Sequence, residues 1–357
     1  MDKGKNSKKY EVLREKLLNY IKDNNLRPTD KLPTIREIIK DFNFSYTTVN
    51  RTLIELENEG WISKQQGKGL FVKRIETKSD TKQVALIIPN QASRYKIFMD
   101  ILTGVRNALE KANIGLLVSI SNMSHQKEKE IIEMLISKHI DGIIIYMEDN
   151  YRQDYSHIKE LKERNYPFVL IDRYIPELET DYVVINNKDA MFRVCSYLKY
   201  NKNCDKIILV PDSGSTNDIS STREKLHGYM EAMRVLYNDN AETVLTVDDL
   251  IANIDTICKT YRTIGICLNH DTMIPEMEAR IREVGKELPG NCHLFGYNNS
   301  YEVPVYPTVE QFNDLVGLKA AEILIEKMKN PNSEIVQIKI EPKLILPDGN
   351  GNFFMES

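Results

Sequence analysis

Two sets of side chains in this 357-residue chain have the types and spacing to do chemistry. The first is Tyr46, Thr47, Asn50 and Arg51, followed by the run Gly67-Lys68-Gly69. Hydroxyl, amide and guanidinium groups on one helix face can bond base edges in a major groove, and each good bidentate contact discriminates by roughly 1–3 kcal/mol. A lysine between two glycines can approach a minor groove or a phosphate, because no Cβ stands in the way. The second set follows a series of apolar runs. It comprises Asn90, Arg94, Tyr95 and Phe98, then Tyr146 and Glu148, then Asp172 and Arg173. Arg223 comes next, then Asn269, His270 and Asp271, then Asn298 and Asn299, and last Gln311. Planar polar groups bond hydroxyls in pairs and aromatic faces stack on C–H patches, so this is the chemistry of a sugar site.

Neither set is catalytic in pattern. The chain has no GxSxG, no GxxxxGK[ST], no HExxH and no GxGxxG after a strand. An α/β enzyme acting on a sugar or nucleotide, with an accessory DNA-binding head, is the alternative reading, and the missing glycine fingerprint counts against it. No catalytic residue, cofactor or metal is expected. The five cysteines, Cys195, Cys204, Cys258, Cys267 and Cys292, have neither CxxC nor metal-ligand spacing, which fits a reduced, cytoplasmic protein. No apolar run is long enough to span a bilayer, and MDKGKNSKKY lacks the apolar core of a secretory signal. Net charge is −4, but residues 1–80 hold 17 Lys+Arg against 12 Asp+Glu, while the rest holds 31 against 40. A basic head on an acidic body points to a polyanionic partner for the head alone.

The elements that must position the first set are short. Leu13, Leu17, Tyr20 and Ile21 share one face of a helix over Tyr10–Asn24. Thr34 and Glu37 have the spacing of a capping box for a second helix, with Ile35, Ile38, Ile39 and Phe42 turned inward. Ser45 is a good N-cap for a third helix with inner face Val49, Leu53 and Leu56, which leaves Tyr46, Thr47, Asn50 and Arg51 outside. Gly60 stops that helix, and Trp61–Gln65 and Leu70–Lys73 read as a hairpin. Helix, helix-turn-helix and hairpin make a winged helix over 1–75. The polar run RIETKSDTK carries the chain through a linker at 76–82.

Residues 83–357 alternate between short apolar strands and helices. The series is Val84–Pro89, Phe98–Ala112, Gly115–Ser119, Lys127–Lys138, Gly142–Tyr146 and Phe168–Ile171. A second series is Lys206–Val210, Arg223–Tyr237, Thr243–Val247, Ile251–Tyr261, Ile264–Leu268, Ile274–Val284 and His293–Gly296. Such alternation means Rossmann-like parallel sheets covered on both faces, and two series mean two α/β lobes of similar build. Open parallel sheets bind ligands beyond the carboxyl ends of their strands, which is where the second set lies. Asn187 reads as a hinge residue.

Both halves resemble known families. The run LPTIREIIKDFNFSYTTVNRTLIELENEGWISKQQGKGLFV closely resembles the signature of the gluconate-repressor (GntR) winged-helix family. The resemblance puts Arg36, Thr47, Thr48 and the wing Gly67–Gly69 at DNA-contacting positions, beside Thr34 and Ser45. Tyr46 stands where that family carries an arginine. The body presents, in order, Ile171-Asp172-Arg173, Val184-Ile185-Asn186-Asn187, Arg223 with Gly228-Tyr229, Asn269-His270-Asp271, Phe295-Gly296-Tyr297-Asn298-Asn299 and Pro307-Thr308-Val309 with Gln311. Their order is similar to that of the lactose-repressor and periplasmic sugar-binding family. The resemblance implies ligand contacts for Tyr95, Phe98, Asp172, Arg173, Arg223, His270, Asn298 and Gln311. His270 stands where that family often has Asn, and Asn298 where it often has Asp. The combination resembles arabinose-repressor-like regulators. It implies a homodimer on palindromic operator DNA, answering to a small monosaccharide, a pentose or a deoxyhexose such as arabinose or fucose.

Overall fold

The computed structural model describes residues 3–24, 26–65, 67–73, 82–89, 95–147, 154–212, 219–238, 243–348 and 352–356. The chain divides into two compact units, Met1–Asp80 and Thr81–Ser357.

The first unit contains α1 (Lys3–Asp23), α2 (Ile35–Phe42), α3 (Tyr46–Asn58), β1 (Ile62–Gln65) and β2 (Gly69–Val72). Its core gathers Leu13, Leu17 and Ile21 of α1, Ile38 of α2, and Val49, Leu53 and Leu56 of α3 under Trp61, Leu70 and Val72. The α2 capping box is closed: Thr34 Oγ1 accepts from the Glu37 N–H at 3.3 Å, and the Glu37 carboxylate accepts from the Thr34 N–H at 2.7 Å. Asn43 ends α2 in the left-handed region at φ 56°, which an asparagine tolerates and which turns the chain into α3. The strands pair antiparallel, Ile62 with Val72 and Gln65 with Gly69. Helix α1 begins at Lys3 rather than Tyr10. Residues 3–9 contain no large apolar side chain, so they show no helical period in the sequence.

The second unit opens with β3 (Gln83–Ile88), α4 (Tyr95–Lys111), β4 (Gly115–Ile120), α5 (His125–Ser137), β5 (Gly142–Tyr146), α6 (Ser156–Glu163), β6 (Phe168–Ile171) and β7 (Tyr182–Ile185). It continues with α7 (Asn187–Tyr200), β8 (Lys206–Val210), α8 (Ser220–Tyr237), α9 (Val247–Thr260), β9 (Ile264–Leu268), α10 (Met273–Glu283) and β10 (Cys292–Phe295). The last elements are β11 (Thr308–Glu310), α11 (Asn313–Lys329), β12 (Gln337–Ile340), β13 (Lys343–Pro347) and β14 (Phe353–Met355). A six-stranded parallel sheet, in the order β12-β7-β6-β5-β3-β4, forms the first lobe. Its central strands, GIIIY and FVLI, are buried throughout, as strands covered on both faces must be. One face packs on α4 and α11, the other on α5 and α6. Gly104 and Gly317 bring α4 and α11 into backbone contact. A Cβ at Gly104 would lie 1.8 Å from the Asp314 carbonyl oxygen, and one at Gly317 would lie 2.1 Å from that of Ile101.

The second lobe holds the parallel sheet β10-β9-β8, covered by α7 and α8 on one face and by α9 and α10 on the other. The antiparallel sheet β11-β13-β14 completes it. The chain therefore passes between lobes three times: from β7 to α7, from β11 to α11, and from β12 to β13. Phe312, at the second passage, has φ 52°, a costly conformation for a bulky residue. The lobes are less alike than their two sequence series suggest, six strands against three plus three. The stretch 243–247, expected as a strand, makes a single bridge between Val244 and Leu209. The Thr246 hydroxyl instead caps α9, accepting from the Asp249 N–H at 3.1 Å, and Val247 already belongs to the helix.

Candidate functional site

The α3 face is built from its cap. Ser45 Oγ lies 2.9 Å from the hydroxyls of both Thr47 and Thr48 and accepts from the Thr48 N–H at 3.3 Å. These three hydroxyls form one chain at the positive end of the helix dipole, where a phosphate is favoured. Tyr46 is 60% exposed and Thr47 is exposed beside it. Arg51 is exposed but occupied: its Nε donates to Glu55 at 3.1 Å, and its guanidinium lies 4.7 Å from the Tyr10 ring centre. A surface pair at this spacing contributes only about 0.3–0.5 kcal/mol, so a phosphate can compete for the arginine. Thr34, Arg36 and Lys68 are exposed, and Asn50 is half-buried. Gly67 and Gly69, at φ 75° and 120°, make the wing turn that carries Lys68.

In the second unit the strand ends carry the polar groups. At the end of β6, Asp172 enters the left-handed region at φ 65° and turns the chain toward Arg173. Arg173 is only 2% exposed. It donates to the Met147 carbonyl at 2.7 Å, lies 3.4 Å from the Asp172 carboxylate and sits over the Tyr146 ring at 5.3 Å. Phe98 packs edge-on against the same ring at 5.4 Å and is buried in the lobe core. Tyr95, in the first turn of α4, is 68% exposed and stands apart from this group. Asn90, Arg94 and Glu148 lie outside the described residues.

The second lobe presents a connected network. Lys225, buried on α8, donates to the Asn269 carbonyl at 3.1 Å and to its side-chain oxygen at 3.0 Å. Its ammonium rests 3.7 Å from the Tyr297 ring centre. The Asn269 amide donates to Asp212 at 2.9 Å, and His270 Nε2 lies 2.8 Å from the other Asp212 oxygen. His270 Nδ1 is 2.7 Å from the Thr272 hydroxyl. Burial pushes the Asp212 carboxyl up, but the bonds from His270 and Asn269, with the charges of His270 and Lys225, outweigh it and hold the group at about 2. Asp271 does the reverse: burial dominates and raises its carboxyl to about 6, although it accepts from the Thr308 hydroxyl and the Ser300 N–H, both at 2.7 Å. Those bonds tie down the segment between β10 and β11. Gln311 donates to Asn298 at 2.7 Å, so these two candidates meet each other inside the protein.

The lobes meet through Tyr174. Its N–H donates to the Ser220 hydroxyl at 3.0 Å and its phenol to Glu224 at 2.9 Å, while Lys339 on β12 reaches the same Glu224 oxygen at 2.5 Å. Burial and the neighbouring Glu224 both push the Tyr174 phenol upward, so it remains a donor. Arg223 is half-buried beside this contact. Tyr297 bridges toward the first interlobe passage, donating to Asn187 at 2.9 Å. Burial chiefly pushes the Tyr297 phenol upward, and the charges of Glu224, Asp172 and Asp189 add to it. Sequence reasoning passed over Asp212, Glu224, Lys225 and Tyr174 as site residues. Asp212 could have been found by the strand-end rule, since it follows Val210-Pro211 at the end of β8. Lys225 has no such signal, because a lysine within a helix normally points to water. Among the described residues, no group of three or more His, Cys, Asp or Glu is placed to hold a metal ion.

Comparison with known proteins matches both units. Residues 9–72 match the family of bacterial regulatory proteins of the gntR type. Residues 81–257 match the periplasmic binding proteins and sugar-binding domain of the LacI family. The chain is 26% identical to an arabinose metabolism transcriptional repressor of Geobacillus stearothermophilus, over 96% of this chain and 98% of that protein. It is 23% identical to a protein of the same name from Halalkalibacterium halodurans, over 95% of each. Among solved structures, a LacI-family regulatory protein from Chloroflexus aggregans has a TM-score of 0.65 at 19% identity, covering 77% of this chain and 99% of that one. The transcriptional regulator CelR in complex with cellobiose has a TM-score of 0.61 at 19% identity, covering 84% and 89%. The chain is therefore a DNA-binding transcriptional regulator, not an enzyme, with a gntR-family head joined to a domain of the LacI and periplasmic-binding family.

Proposed function

We propose that this regulator is a sugar-responsive repressor whose grip on a palindromic operator is set by a small neutral monosaccharide, a pentose or a deoxyhexose such as arabinose or fucose. The observation that carries the reading is that polar groups gather at strand ends on both lobes, Asp172 and Arg173 on one, Asp212, Asn269 and His270 on the other. Their charges are largely balanced within the protein, which suits a neutral polyol more than a phosphorylated one. Similarity over nearly the whole length to arabinose metabolism repressors supports the ligand class. In this reading Arg223, His270, Asn298 and Gln311 contact or orient the sugar, and Arg36, Thr47, Thr48 and Lys68 contact DNA.

The regulator acts as a homodimer in the cytoplasm. Edge strand β4 leaves Leu117, Val118 and Ile120 exposed, near-apolar surface that a second copy would cover. Sugar closes the two lobes, the three interlobe passages absorb the motion, and closure changes how the paired heads meet DNA. Coupling of this kind is typically about 1–3 kcal/mol, or roughly 5–150-fold in affinity.

The test has two stages. A thermal-shift screen of the full chain against monosaccharides finds the ligand, because binding raises apparent stability by mass action. Sugar is then titrated into the protein with and without operator DNA. Linkage requires the two sugar affinities to differ by the factor by which sugar changes operator affinity. Equal sugar affinities would falsify the coupling.

A further inference from the structure

We propose that Cys258 and Cys292 are a reversible thiol–disulfide modification site on the regulator's second lobe. Their sulfurs already lie 3.5 Å apart, 34 positions apart in sequence. A disulfide needs about 2.05 Å, so the two atoms must approach by roughly 1.5 Å, within the reach of small side-chain rotations. Both residues are half-buried and so reachable from solvent, whereas Cys195, Cys204 and Cys267 are buried. Oxidation is therefore selective for this pair.

The order of events follows from the surroundings. Burial and the hydrogen bond with Cys258 push the Cys292 thiol up to about 12. Burial also raises Cys258, but there the bond with Cys292 acts in the opposite direction, so Cys258 ionises first. The Cys258 thiolate attacks one sulfur of a low-molecular-weight disulfide such as oxidised glutathione; that S–S bond breaks and one glutathione thiolate leaves. Cys292 then loses its proton and attacks the Cys258 sulfur of the mixed disulfide, expelling the second glutathione thiolate. Two protein thiols are oxidised, one glutathione disulfide is reduced to two thiols, and the two protons released are taken up by the leaving thiolates. Holding the second thiol in contact makes that step intramolecular, which offsets its weak acidity.

The bridge would join the last turn of α9 to the first residue of β10. Cys292 pairs with Ile264, at the amino end of the β10-β9-β8 sheet, whereas Asn269 and His270 follow its carboxyl end. Oxidation therefore stabilises the lobe by closing a long loop and leaves the ligand end untouched.

The full chain is incubated with oxidised glutathione, digested without reduction and mapped by mass spectrometry, with melting followed in parallel. The expected result is a protein lighter by two hydrogens, one linked peptide pair containing Cys258 and Cys292, and a melting temperature several degrees higher that returns with dithiothreitol. Cys258→Ser and Cys292→Ser should each abolish the linked pair and the rise in melting temperature, while melting like the reduced parent. A stable mixed disulfide without ring closure, a link through Cys195, Cys204 or Cys267, a link between chains, or an unchanged melting temperature would each overturn the proposal.

Discussion

Single side chains in the two units can be separated by their tasks. Arg36 is exposed near the start of α2 and has room to reach a phosphate. Arg36→Ala should weaken operator binding, reduce its salt dependence and leave sugar affinity unchanged, as read by filter binding at several salt concentrations. Unchanged operator affinity would remove Arg36 from the interface. Arg223 stands at the meeting of the lobes, so Arg223→Ala should abolish the sugar response while operator binding persists; loss of both would indicate a folding role. Asp271 gives a pH signature. Its carboxyl is raised to about 6 in the folded chain, so the folded state binds a proton that the unfolded state has already released above about 4. Its contribution to stability is therefore favourable at low pH and lost as pH rises through 6, a difference on the order of 2–3 kcal/mol. Asp271→Asn should flatten the fall in stability between pH 4 and 7. A variant whose profile still tracks the parent would place the titration elsewhere.

Elements explain why some residues are available and others are not. Ser45, Thr47 and Thr48 share one hydroxyl chain because α3 needs a cap, so the same groups that start the helix face the candidate DNA surface. Ser45→Ala should cost the head about 1 kcal/mol, measured by denaturant titration of the full chain while monitoring the Trp61 region. An unchanged midpoint for that transition would mean the cap carries no stability. Trp61 reports on this unit because it is the chain's single tryptophan and is buried there. Apart from the start of α1, the helix and hairpin boundaries of the head were legible, since capping residues and Gly60, Gly67 and Gly69 mark them directly in the sequence. Helices α6, α7 and α11 and strands β7 and β11–β14 were not anticipated. Strand β12 joins a sheet begun far earlier in the chain, Gln337 pairing with Tyr182, while β11, β13 and β14 form a small antiparallel sheet of their own, and no local period reveals either relation.

At the scale of the whole molecule, the contact of Tyr174, Glu224, Lys339 and Ser220 is a clasp between lobes. Removing its charge should free the lobes to part. Glu224→Gln should increase the sugar-free radius of gyration in small-angle scattering and change sugar affinity, with coupling to Tyr174→Phe of about 0.5–3 kcal/mol in a double-mutant cycle. An additive cycle with no change in scattering would show that the clasp does not hold the lobes. The proposed ligand site likewise draws on both lobes. Each lobe alone offers an incomplete group, Arg173 over Tyr146 on one and the Lys225–Asn269–Asp212–His270 chain on the other.

Local sequence specifies the winged helix, the α/β character of the body and the positions after strands where polar groups gather. These are local properties: caps, glycines, hydrophobic period and the alternation of short apolar runs. Tertiary structure alone decided which of those groups are occupied. Asn298 meets Gln311, His270 meets Asp212, and Lys225 turns inward onto Tyr297, because each pairing joins residues brought together by the closing of a sheet or the packing of a helix on it. The hydroxyl-bearing face of α3 that opens the chain's chemistry was visible in advance. The clasp and the buried lysine network were not, since burial and distance have no counterpart in a single line of residues.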